Sequence, residues 1–150
     1  MATEQYQKMY LYKRVVQAKL FIDSHYAESI DLSNIADEAY FSKYHFIRLF
    51  KNIYRKTPHH YLTHVRIDKA CQSLAQDISI SEVCFSVGFN SATSFTALFK
   101  KIVGLPPSQF QQRQQQRNHA IASGPLHFVP NCYAESNGWT TNSNFQEVTR

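Results

Sequence analysis

A chain of 150 residues suits one compact unit with a real core and is too short for several independent domains. Four glycines and five prolines exclude a collagen-like or proline-rich chain, and no apolar run approaches the roughly 18 residues a membrane span needs. The net charge of +5 is uneven: residues 1–40 carry −2, residues 41–117 carry +8 and residues 118–150 carry −1. A basic block between mildly acidic flanks suits a polyanion, nucleic acid first among them, with a solvated basic surface as the plainer alternative. The opening MATEQYQKMYLYKRVV has no apolar stretch of a secretion signal. Three cysteines, Cys71, Cys84 and Cys132, include no C-x-x-C pair, which predicts reduced thiols in a cytoplasmic protein rather than disulfides or zinc.

The first predicted helix runs over about residues 6–26, with Val16, Leu20 and Phe21 on one face. Asp31 can cap a two-turn helix from Leu32 to about Ala39, with Ile30 and Ile35 as a hydrophobic staple. The next helix starts at Ser42 and runs to Tyr54, with apolar residues at 46, 49, 50 and 53. Arg55 then stands where a left-handed residue would end the helix. Pro58 opens a long helix over 58–75 holding Tyr61, Leu62, Val65, Ala70 and Leu74.

Beyond it the pattern repeats. Ser79 and Glu82 fit the capping box S-x-x-E, and Ile78 with Val83 fits the staple. Gly88 falls in a tight turn, at the place Tyr40 holds in the first copy. A helix from Ser91 to Val103 carries Phe95, Leu98, Phe99 and Ile102, and Gly104 ends it. Residues 30–63 therefore align with 78–112, at an offset of 48 that becomes 49 after one insertion. A short helix from Pro107 to about Gln116 follows, including the glutamine-rich FQQRQQQR. Residues 117–150, with SGP, NSN and Trp139, read as a flexible or loosely docked tail.

Helix, tight turn, helix is the arrangement that places one helix in the DNA major groove. On the second helix of the first copy, Tyr44, Ile47, Arg48 and Lys51 share one face, at i, i+3, i+4 and i+7, opposite Phe46 and Phe50. The duplicated S-x-x-x-F-x-x-x-F-K pattern, then TPHHYLTHVRIDKA, then VGFNSATSFTALFKKIVGLPPSQF, resembles the AraC/XylS family of bacterial transcription regulators from about residue 10 to 112. That resemblance implies an all-α fold of two helix-turn-helix lobes, residues 6–56 and 77–116, joined by a linker helix over 57–76. It implies base reading by Tyr44, Ile47 and Arg48 in the first lobe and by Ala92, Thr93, Thr96 and Ala97 in the second. Ser42, Lys43, Lys51, Lys100 and Lys101 are the expected phosphate contacts. The expected partner is double-stranded DNA, bound by a monomer in the bacterial cytoplasm and nucleoid, with RNA polymerase as a further partner of an activator.

The chain departs from the family pattern at Arg55, where glycine is usual, and at Ala92 and Ala97, where polar or basic residues are usual. Residues 70–99 contain no Lys or Arg. This predicts a division of labour, with the first lobe reading bases through Arg48 and the second docking through Lys100 and Lys101. A helix-turn-helix protein turned into a protein-interaction module is the alternative. Fewer than ten residues precede the first helix, so a small regulator without a sensor domain is expected. His60, His64 and Asp68 share a helix face at i, i+4 and i+8 but read as solvated, so no metal and no cofactor is expected. Glycines at 88, 104, 124 and 138 make no nucleotide loop, and no catalytic set is indicated.

Overall fold

A computed structural model of the chain describes residues 2–31, 33, 36 and 42–124. The described residues form six helices and no strand. They are α1 (Ala2–His25), α2 (Lys43–Tyr54), α3 (Pro58–Leu74), α4 (Ile80–Ser86), α5 (Ala92–Val103) and α6 (Pro107–Ser123). The all-α architecture is the expected one. The helix expected over Leu32 to Ala39 lies mostly outside the described residues, as do Tyr40, Phe41, Cys132 and Trp139. Within it, Ser33 and Ala36 are helical, Ala36 is buried, and the Asp31 carboxylate accepts the Ser33 amide at 2.8 Å.

Two hydrophobic clusters divide the interior. The first gathers Val15, Ala18 and Ile22 of α1 with Ala36, Phe46, Phe50 and Leu62. The second gathers Ile67, Ala70 and Leu74 with Val83, Cys84, Val87, Phe89, Phe95 and Phe99. Helix α3 serves both, Leu62 facing the first core and Ile67, Ala70 and Leu74 the second. Tyr26, just past α1, packs against both clusters.

The two recognition helices are built alike. Phe46 and Phe50 sit 5.8 Å apart at 56°, and Phe95 and Phe99 sit 5.6 Å apart at 58°. An edge-on ring closes each set, Tyr61 against Phe50 at 5.6 Å and Phe110 against Phe99 at 5.5 Å. Tyr61 and Phe110 open α3 and α6, so the repeat includes the first turn of the following helix. Each of these helices also begins on a buried proline, Pro58 or Pro107.

The caps repeat as well. Ser42 and Ser91 are N-caps whose hydroxyls accept the amides of His45 and Ser94 at 3.3 and 3.4 Å. The other ends close on left-handed residues: Arg55 at φ 61° donates its amide to the Lys51 carbonyl, and Gly104 at φ 89° donates to that of Lys100. Glycine meets this geometry without a Cβ penalty, and arginine does not. Arg55→Gly is therefore expected to stabilise the protein by about 0.5–1 kcal/mol, the relief of strain exceeding the added freedom of the unfolded chain. A urea midpoint that stays or falls would show that the Arg55 side chain offsets its own backbone strain.

Three sequence expectations change. Helix α1 turns Val15, Ala18 and Ile22 inward, while Val16 and Leu20 are 43% and 55% exposed. Of the three residues expected on its inner face, only Phe21 packs against the core. The helix carries apolar residues on opposite faces, so spacing alone could not choose between them; packing against α2 and α3 selects the face of Val15, Ala18 and Ile22. In α3, Ile67 is fully buried and Val65 only half-buried. Helix α6 runs to Ser123, seven residues past the expected end at Gln116. Amide side chains dock the helix on the rest of the fold, and Asn118 does so from the added stretch. Gln111 donates to the Ile78 carbonyl at 2.6 Å, Gln115 to the Asp77 carboxylate, and Asn118 to the Ala75 carbonyl at 3.2 Å. Positions 111, 115 and 118 make a polar stripe at helical spacing, facing the loop between α3 and α4.

Candidate nucleic-acid interface

Each recognition helix seats its phenylalanine pair in a core and turns its other face to solvent. On α2 that face carries Lys43, Tyr44, Arg48 and Lys51, all exposed, with Tyr44 82% exposed. Ile47 differs from the expectation of free base contact: it is half-buried and packs against the first core. Only its outer edge is available to a ligand. The Ser42 hydroxyl is exposed and already accepts the His45 amide, which leaves its proton to donate outward.

On α5 the equivalent face consists of Ala92, Thr93, Thr96, Ala97 and Lys100, which together line one shallow concave surface. The four expected reading positions of the second lobe are thus adjacent and exposed. Lys101 is exposed too, one residue further round the helix. The contrast between the faces is chemical. Arg48 presents a planar fork of donors, whereas its counterpart Ala97 presents a methyl group. The threonine hydroxyls supply the polar atoms that remain beside Lys100.

Residues outside the exposed faces hold this geometry through long-range contacts. On α3, Arg66 donates its Nε to the Tyr26 carbonyl at 2.7 Å and its Nη2 to the Glu28 carbonyl at 2.9 Å. Burial pulls its guanidinium below the usual arginine pKa, and the two carbonyls compensate the lost water. The guanidinium also lies 5.7 Å from the centre of the Phe89 ring. Nothing in local spacing marks these contacts, which span about 40 residues of chain.

Between α1 and α3, the Tyr61 hydroxyl donates to Asp23 at 2.7 Å, and Asp23 pairs with Lys19 at 2.6 Å. Burial, then the bond to Asp23, raises the Tyr61 pKa. Burial, then the charge of Lys56, lowers that of His64. His60, His64 and Asp68 do not converge: among the described residues there is no group of three side chains placed to hold a metal ion. Burial raises the pKa of the free thiols Cys71 and Cys84. No helix among the described residues is long and apolar enough to cross a membrane.

Comparison with known proteins agrees with this geometry. A family described as a helix-turn-helix domain matches residues 35–113. The MmsAB operon regulatory protein of Pseudomonas aeruginosa is 34% identical over 97 residues, covering 64% of this chain and 32% of that protein. The probable transcription factor PqrA of Proteus vulgaris is 34% identical over 86 residues, covering 57% of this chain and 70% of that one. The chain spans only 32–37% of the length of several larger curated relatives. Among solved structures, the DNA-binding domain of AdpA in complex with a target DNA superposes with a TM-score of 0.66 at 25% identity, covering 69% of this chain and 94% of that one. Matched domain, relatives and fold together place the chain in the AraC/XylS family of transcription regulators.

Proposed function

We propose that the chain is a sequence-specific regulator of transcription that binds double-stranded DNA with two recognition helices in successive major grooves. One observation carries this reading: two equivalent helices, on equivalent cores, each keep an exposed face clear of the rest of the fold. The AdpA domain, similar in fold, is described in complex with its target DNA, which supports the same use of this one.

In this reading Arg48 reads a guanine edge through its fork, and Tyr44 supplies apolar contact. Lys43, Lys51, Lys100 and Lys101, with Ser42, hold phosphates and give affinity without sequence information. The second lobe docks, with light contacts from Thr93 and Thr96. The protein works as a monomer on DNA in the bacterial cytoplasm and nucleoid, as an activator that also meets RNA polymerase, and carries out no catalysis. The small, largely apolar face of α5 favours one alternative, in which that helix docks on a protein partner.

Selection of bound duplexes from a random library tests the reading. One sharp half-site beside one weak half-site is expected, and two equally sharp half-sites would sink the division of labour. Absence of salt-dependent duplex binding at low salt would favour the protein-docking alternative. Lys51→Ala is expected to weaken all sites alike and to lower the salt slope by about one. A change of preferred sequence in that variant would reassign Lys51 to base reading.

A further inference from the structure

We propose that Arg66 is the positioning residue that fixes the two recognition helices relative to each other, and so sets the half-site spacing the protein accepts. The inference rests on the two-groove reading above and adds the device that enforces it.

Three segments meet at Arg66. The first is Tyr26 to Glu28, where the chain leaves α1 for the rest of the first lobe. Arg66 binds two carbonyls of this segment, those of Tyr26 and Glu28. The second is α3 itself, which contributes to both cores. The third is the turn of the second lobe, Gly88 and Phe89, which leads within three residues to the N-cap of α5. Phe89 lies under the guanidinium.

Gly88 shows how closely these segments approach. It has φ +95°, and a Cβ there would lie 2.9 Å from the Ala27 carbonyl oxygen and 3.0 Å from the Arg66 guanidinium carbon. The first lobe's connecting segment therefore closely approaches the second lobe's turn, with Arg66 beside both. Tyr26 reinforces the junction, since its ring packs against both cores and Lys69 Nζ lies 5.8 Å from its centre. An arginine can bridge two carbonyls with separate N–H groups of one rigid plane; a lysine can reach them only as a point donor.

Half-sites read by two lobes act as a linked pair, so the benefit of the second contact depends on whether the linkage permits both at once. A stiff junction makes that benefit sharp in spacing, and a loose one makes it broad. The test uses the full chain, its Arg66→Ala and Arg66→Lys variants, and duplexes whose two half-sites are moved apart or together one base pair at a time. The wild type is expected to lose about tenfold in affinity per base pair of misplacement, and Arg66→Ala to vary less than about threefold across the series. Arg66→Lys should fall between them. A variant that binds every duplex more weakly but keeps the wild-type profile would overturn the proposal, because a purely structural loss is uniform in spacing.

A second measurement needs no DNA. Amide residual dipolar couplings from the two lobes should fit one alignment tensor in the wild type and require two in Arg66→Ala. Should that variant not fold, Arg66→Lys serves, with a smaller difference between the tensors. One tensor fitting both lobes of the folded variant would refute the role of Arg66 whatever the DNA results. Failure of every duplex to bind the wild type would instead refute the DNA reading.

Discussion

Phe50→Ala is expected to lower the unfolding free energy by about 3–5 kcal/mol, as is Phe99→Ala. Each ring is fully buried and held by aromatic neighbours on two sides. Phe50 meets Phe46, Tyr54 and Tyr61 within 5.8 Å between ring centres, and Phe99 meets Phe95 and Phe110 within 5.6 Å. Truncation removes the burial of the ring, its edge contacts and the close packing around it. Domains of this size have total stabilities of about 5–15 kcal/mol, so either variant should be visibly destabilised at room temperature. Urea denaturation followed by circular dichroism measures the effect. The repeat adds a sharper demand: the Phe50 loss should equal or exceed the Phe99 loss, since Tyr54, which also packs on Phe50, aligns with Val103 in the second lobe. A Phe50→Ala variant of near wild-type stability would mean that the first core is not packed as described.

Arg48→Ala should relax specificity at one base pair by about 1–3 kcal/mol, or roughly 5- to 150-fold, and leave preference elsewhere in the site unchanged. The side chain is exposed on α2 and lies one turn from Tyr44 and from Lys51. Removing it takes away a fork of donors and disturbs no core contact. Stability should therefore stay within about 0.5 kcal/mol of wild type, which separates this variant from those of the phenylalanines. Lys100→Ala is the control on the other lobe. It should weaken matched and mismatched duplexes by the same factor. An unchanged base preference in Arg48→Ala would remove Arg48 from the reading set.

Much of this was legible in the chain. The aromatic spacing of HFIRLFKN and SFTALFKK is dictated by helix geometry, and both helices follow it with serine caps at the expected residues. Gly88 and Arg55 take the positive φ that their places in the repeat demand. Local rules, which act over four or five residues, were enough for these features. The face of α1 was not legible, because a helix with apolar residues all round has no preferred side until a neighbour supplies one. The last turns of α6, Arg117 to Ser123, bury no residue, and Asn118 anchors them to the Ala75 carbonyl, a main-chain partner that local spacing does not mark. Arg66 escaped for a related reason: its partners are main-chain carbonyls, which leave no mark in the amino-acid order. The exposed faces of α2 and α5 were read from spacing, and Ile47 is the place where spacing placed outside a residue that tertiary packing draws half in.

The shared helix α3 also explains why the duplication stops at two. Its first turn completes the lobe before it, and its later residues Ile67, Ala70 and Leu74 supply a wall for the lobe after it. Helix α6 occupies the same place in the second copy and begins in the same way, with Pro107 and Phe110. Its residues at the corresponding later positions are Gln116, His119 and Ser123, all exposed. Where α3 offers an apolar wall, α6 offers a wettable surface, so among the described residues α6 caps the second lobe rather than seeding a third.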